Sequence, residues 1–157
     1  MEKMTRKKFI SKTGVAVVAS AAGCMFCLNS CTAFSRIGYT HQINTEAYQI
    51  SPGVLKIDLS KEPKLNEIMG AVKIIDEQLN DGLIIVRVDD HNFVASSIYC
   101  THRQAEVEFD HQNNIFECIS FGKSRFELDG QNISGRAAKP LQAYETTLED
   151  NILNVLI

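Results

Sequence analysis

Apolar and polar positions in the body of the chain fall into short runs separated by turn residues. Val54 to Leu59 alternates in type along its length, and Ala71 to Ile75 forms a second apolar run. Leu83-Ile84-Ile85-Val86-Arg87-Val88 is nearly unbroken and rich in β-branched side chains, which suit a pleated surface. Asp89-Asp90-His91-Asn92 follows as a turn and Phe93 to Ile98 returns, which predicts a hairpin. Ala105 to Phe109 and Ile115 to Cys118 predict a second hairpin, through Asp110 to Asn114. Arg125 to Leu128 and Gln131 to Ser134 predict a third, around Asp129-Gly130. Thr146 to Leu148 and Ile152 to Ile157 predict a fourth, around Glu149-Asp150-Asn151. Lys61 to Met69 has room for one helical turn. The pattern predicts an all-β domain of consecutive hairpins.

The first third follows another rule. Lys3, Arg6, Lys7, Lys8 and Lys12 form a basic start, and Thr13 to Gly23 is apolar and small, the pattern of a secretory signal. Thr5-Arg6-Lys7-Lys8-Phe9-Ile10 looks like a twin-arginine export signal with lysine as the second basic residue; general secretion stays open. The apolar stretch is interrupted by Ser20 and Gly23, and a spanning helix needs about 18 to 20 apolar residues. Two segments resemble the bacterial lipobox: Leu28-Asn29-Ser30-Cys31 and Ala21-Ala22-Gly23-Cys24. Leucine three before the cysteine favours lipidation at Cys31, with Cys24 as the alternative. Residues 1–31 therefore read as an export signal, 32–45 as a flexible tether and 46–157 as one folded domain.

Composition narrows the functions. The chain has 157 residues, 45% hydrophobic and 22% charged, ordinary for one globular domain. A net charge of −3 argues against a nucleic-acid binder, which carries a basic face. Of five cysteines, only Cys100 and Cys118 lie in the body, enough for one disulfide or half of a metal site. Asp89, Asp90, Asp110, Asp129 and Glu149 all fall at turns, so no pair of catalytic carboxylates is indicated. No serine stands in a nucleophile elbow, and no independent catalysis is expected.

Cys100-Thr101-His102 follows a hairpin strand, and Cys118 ends a later strand 18 positions on. Phe126-Glu127-Leu128-Asp129-Gly130 and Gly135-Arg136-Ala137-Ala138-Lys139-Pro140-Leu141 follow. This order resembles the Rieske iron–sulfur family, with its Cys-x-His loop, short hairpin, Cys-x-x-His loop, aromatic-x-x-x-Gly and Gly-Pro-Ala-x-x-Pro-Leu segments. The resemblance covers about residues 46 to 157. It implies an antiparallel β-sandwich or barrel with a small cluster-binding subdomain, holding a [2Fe–2S] cluster. By the likeness, Cys100 and Cys118 bind one iron and His102 the other.

The likeness fails at the fourth ligand, where Phe121 stands in place of histidine. Ala105 and Ser120 replace the extra cysteines of high-potential members, and Gly122 to Phe126 is one residue longer than usual. The family's cluster-bonding serine corresponds to Lys123 or Ser124. His111 and His91 lie at far hairpin turns; for His111, seven strand residues at about 3.3 Å each put it roughly 20 Å away. His41, in the expected tether, is not forbidden by this argument. Ser120 is close but an unusual ligand. On these residues Phe121 is expected to plug a vacant, apolar fourth corner.

Two readings stay open. One is an exported, membrane-anchored electron carrier, possible subunit of an oxidoreductase, whose shell an exogenous or partner-supplied group completes and whose partner is a redox protein of the cell envelope. The other is a cluster-free binding or assembly lipoprotein of the same fold, with Cys100 joined to Cys118 in the oxidising envelope. A single-metal site with an open position would also use three ligands.

Overall fold

The structure, a computed structural model, describes residues 39–157. The export signal, both lipidation candidates and the first part of the expected tether lie outside the described residues.

The described chain is all-β. Its strands run, in order, β1 (His41–Gln42), β2 (Tyr48–Ser51), β3 (Val54–Asp58), β4 (Ala71–Ile74), β5 (Leu83–Arg87), β6 (Phe93–Ser97), β7 (Val107–Asp110), β8 (Ile115–Cys118), β9 (Arg125–Phe126), β10 (Asn132–Ser134), β11 (Ala143–Tyr144), β12 (Thr146–Glu149) and β13 (Ile152–Leu156). Among the described residues the helical segments are short 3₁₀ turns, including Pro63–Asn66 where one turn is expected. None is long and apolar enough to cross a membrane.

Three sheets form, ordered β1-β4-β5-β6-β11, β10-β9-β8-β7 and β12-β13-β3-β2. The unbroken apolar run explains the layering. Leu83 and Ile85 enter one core while Ile84 and Val86 enter the other, because successive side chains of a strand point to opposite faces. The first sheet is therefore buried on both sides and lies in the middle. One core packs it against Leu55, Ile57, Leu153 and Val155 of β3 and β13. The other packs it against Phe109, Phe116 and Phe126, which face one another across β7, β8 and β9. That second core contains Cys100 and Cys118.

All four expected hairpins form. Asp89 closes the turn between β5 and β6 by accepting from the backbone N–H groups of His91 and Asn92, both at 2.9 Å. Two features differ from the sequence reading. Residues 40–45, expected within a flexible tether, are bound to the domain: β1 pairs in parallel with β4, Ile43 is buried, and the Thr40 N–H donates to Glu108. The segment is polar, but its few apolar and hydroxyl groups meet partners about seventy residues away. The sheets are accordingly antiparallel except at this one pair. β2, unmarked in the sequence, forms an added hairpin with β3.

Candidate metal centre

Two loops at one end of the second core carry the donors. The first runs from Cys100 to Ala105 and closes on itself: the Cys100 N–H donates to Ala105 O at 2.8 Å and the Gln104 N–H to Cys100 O at 2.9 Å. It returns directly into β7, where Val107 lies opposite Cys118. The hairpin that separates the two cysteines in sequence thus brings them together in space. The second loop leaves β8 at Cys118, with the Cys118 N–H donating to Ser124 O at 2.8 Å and the Ile119 N–H to Glu106 O at 3.0 Å.

Cys100 and Cys118 are fully buried, and both thiols are free. The disulfide kept open by the sequence is not formed. The ligand atoms of Cys100, His102 and Cys118 all lie within 4.8 Å of one another. His102 Nδ1 is 2.9 Å from Cys100 Sγ. Burial pushes the Cys100 thiol above its ordinary range, and the neighbouring Cys118 adds to this; the His102 N–H and the Ser124 hydroxyl pull the other way. A thiol raised in this way keeps its proton until a cation replaces it.

A third segment, residues 135–140, locks the site. Ser124 is fully buried, and its Oγ accepts from the Arg136 N–H at 3.1 Å and the Ala137 N–H at 3.0 Å. With both acceptor positions engaged, its proton is free for the Cys100 sulfur. Gly135 has φ +94, and a Cβ there would stand 2.4 Å from Ser124 Cα, so only glycine permits this approach. Thr101 Oγ donates to Lys139 O at 2.8 Å, tying the same segment to the first loop. Glu117, buried on β8, accepts from Arg125 at 2.8 Å and pairs with Lys123 at 3.1 Å, which anchors the second loop. The sequence pointed to the Gly135 segment only by its likeness to the family, and it did not reveal the bonds that the segment makes.

The structure corrects the reading of the fourth corner. Phe121 does not plug it: the side chain is 92% exposed, and Ile119 beside it is half-exposed. His41 is also excluded, because it faces Glu62 at 3.7 Å and belongs to β1. His91 sits at its hairpin turn, and His111 packs edge-on against Phe109. Of the two candidates for the cluster-bonding position, Ser124 is fully buried beside the Cys118 loop, whereas Lys123 pairs with Glu117. Ser120 Oγ lies 3.2 Å from Cys118 Sγ and 3.4 Å from His102 Nε2.

The donor chemistry fits a two-cysteine, histidine-bearing iron–sulfur cluster at three corners. Two soft thiols that approach one another suit one iron, and an imidazole at the rim suits a second. These features define the class: a small all-β domain whose paired loops present thiol and imidazole donors at one end. The Rieske [2Fe-2S] domain family matches residues 54–145, and the chain belongs to that family. The iron–sulfur subunit of the cytochrome b6-f complex of Chlorobaculum tepidum is 32% identical over 80 residues, 51% of this chain and 44% of that protein. The match thus spans less than half of that relative. The plasma membrane Rieske protein of Synechocystis PCC 6803 superposes with a TM-score of 0.50 at 22% identity, over 56% of this chain and 87% of that one. The ferredoxin of carbazole 1,9a-dioxygenase from Nocardioides aromaticivorans IC177 gives 0.48 at 20% identity, over 59% of this chain and 91% of that one.

Proposed function

We propose that this domain is a one-electron carrier that holds a [2Fe–2S] cluster between the Cys100 and Cys118 loops and exchanges electrons with a partner protein. The observation that carries the reading is the convergence of two buried free thiols and His102 within 4.8 Å, in a family defined by such a cluster. Cys100 and Cys118 would hold one iron and His102 the other. When bound, the cluster supplies reversible one-electron redox chemistry. The chain's part is to keep water from the thiols, to aim the Ser124 hydroxyl at Cys100, and to leave His102 partly exposed at the rim. A partly exposed ligand shortens the path to a docked partner.

The wider setting follows the leader and the relatives. Residues 1–31 carry the export and lipidation pattern, so the domain would sit at the cell envelope on a lipid at Cys31 or Cys24. Residues 32–39 would remain as the tether. The relative named as the iron–sulfur subunit of a cytochrome complex supports a redox protein as partner. A diacyl mass added to the N-terminal peptide at either cysteine supports the anchor, and its absence from membrane-purified protein removes it.

The test is iron and acid-labile sulfide on the full chain purified without oxygen, with EPR of the reduced sample. Near-equal iron and sulfide with a rhombic signal below the free-electron value supports the carrier. The lack of histidine at position 121 favours a second reading, a cluster-free binding lipoprotein. Colourless protein that stays iron-free after reconstitution, with Cys100 and Cys118 oxidised to each other, would establish that alternative.

A further inference from the structure

We infer that the metal end of the domain is a docking surface for an acidic redox protein, with Phe121 as its apolar centre and cations around it. The inference rests on the carrier reading above and names the chemistry of its partner. Residues 39–157 carry ten lysines and arginines against eighteen aspartates and glutamates. Four of those ten, Arg103, Lys123, Arg136 and Lys139, stand exposed on the three loops of the site. The loops, 100–105, 119–124 and 135–140, contain no carboxylate. Charge is thus split along the domain: positive at the metal end and strongly negative elsewhere. Lys123 shares Glu117 with Arg125. Arg103, Arg136 and Lys139 pair with no carboxylate among the described residues.

The loops bring these charges around one apolar spot. The Lys123 N–H donates to Ser120 O at 3.1 Å, and Gly122 and Lys123 both have positive φ, +111 and +35. The chain therefore reverses sharply after Phe121 and holds its ring out in water. Arg136 lies beside this turn, since a Cβ at Gly122 would stand 3.2 Å from its Cδ. Ser120 Oγ, 3.4 Å from His102 Nε2, sets the same turn against the half-exposed histidine. The bond from Thr101 Oγ to Lys139 O at 2.8 Å brings Lys139 to the other side of that histidine, next to Arg103. Half-exposed Ile119 extends the apolar spot. An exposed aromatic among arginines is the composition of an interface centre, where such residues carry most of the binding energy.

The same polarity selects the occupant. A partner with an acidic rim is attracted by the loops and repelled by the rest of the domain, so it arrives facing His102. A basic partner would be drawn to the acidic body instead, away from the site. β1 runs toward the loops: it is parallel to β4, whose Ile74 lies opposite Leu83, and Leu83 lies opposite Ser97, three residues before Cys100. The segment before β1 enters the domain from the other end, which favours a protein over a membrane surface on the loops.

The experiment uses the full chain, loaded anaerobically with iron and sulfide, and two probes. One is cytochrome c, a basic protein with lysines around its haem edge; the other is the same protein with its lysines succinylated, which is acidic. The chain is reduced with dithionite and desalted, and each electron it gives up turns one ferric haem ferrous. At low salt the acidic probe is expected to react at least about tenfold faster than the basic one, with the difference lost at about 0.5 M salt. Arg103→Glu with Lys139→Glu is expected to slow the acidic probe about tenfold and to speed the basic one. The corresponding glutamine pair replaces it should the glutamate pair not fold. A second readout needs no cluster. The chain has no tryptophan, so in Phe121→Trp protein a single indole reports on the surface, and haem quenches its emission on docking. Quenching by the acidic probe and not by the basic one is expected. Equal rates and equal quenching with the two probes, or a preference for the basic one, overturns the inference and leaves the carrier reading standing. A blue shift of the indole on phosphatidylglycerol vesicles, with no quenching by the acidic probe, assigns the surface to a membrane and overturns it too. Wild-type chain that binds no iron removes the carrier reading, and the quenching still decides the docking surface.

Discussion

Ser124 joins all three segments of the site through one hydroxyl. It accepts from two backbone N–H groups of the 135–140 segment, which leaves its own proton free for the neighbouring Cys100 thiol. Ser124→Ala leaves two amides without their partner, at about 1–3 kcal/mol for an unsatisfied buried group. A lower urea midpoint checks this. In iron-loaded protein the same change is expected to lower the reduction potential, since hydrogen bonds to the sulfurs favour the more negative reduced state. Gly135 supports the same contact from the other side. Gly135→Ala forces a positive-φ alanine against Ser124 Cα, and backbone strain of this kind costs about 1–3 kcal/mol before the clash is counted. Thermal melts of the two variants should fall together, and the double variant should lose less than their sum.

At the scale of elements, β4 is tied to β7 through charge. Lys73 Nζ meets Glu108 at 2.7 Å and Glu106 at 2.9 Å, with Glu108 almost fully buried and also accepting from the Thr40 N–H. Burial alone would lower the Lys73 pKa, but the hydrogen bonds and charges of the two carboxylates outweigh it and hold the amine above its ordinary value. Removing one partner of a buried pair costs about 3–5 kcal/mol, because the other charge is left unpaired. Lys73→Met is expected to destabilise on that scale, read from chemical denaturation. The sign with pH follows from the raised value. The Lys73 contribution is complete below the unfolded lysine pKa of about 10.4 and is lost as pH rises through the higher folded value. The gap between wild type and Lys73→Met should therefore be constant from neutrality to about pH 10 and narrow only above that.

Across the whole molecule, one central sheet divides two cores, and the thiols belong to the core on the β7–β9 side. Metal bound there stabilises the folded chain by mass action, since the unfolded chain holds no such site. Reconstituted protein is expected to melt several degrees above chelated protein, with a gain of about 1 kcal/mol shifting a domain of this size by roughly 4 °C. Cys100→Ala should abolish the difference while leaving the β-sheet circular dichroism in place.

The all-β class and its four hairpins were legible in the sequence because strand alternation and turn chemistry are local properties, as Leu83 to Val88 and Asp89 to Asn92 illustrate. Cys100, His102 and Cys118 were legible as a set because their spacing matches the Rieske family pattern. What only the tertiary structure decided depends on contacts between distant positions. His41 joins a strand because β4 offers an edge to it, which no local pattern announces. Leu83 and Ile84 go to different cores because a third sheet covers the central one. Phe121 faces solvent and Ser120 faces the thiols because Glu117 and Arg136 set the turn between them. Residue type and spacing depend only on neighbours along the chain. The direction a loop side chain takes is set by what packs behind the loop, and that comes from elsewhere in the fold.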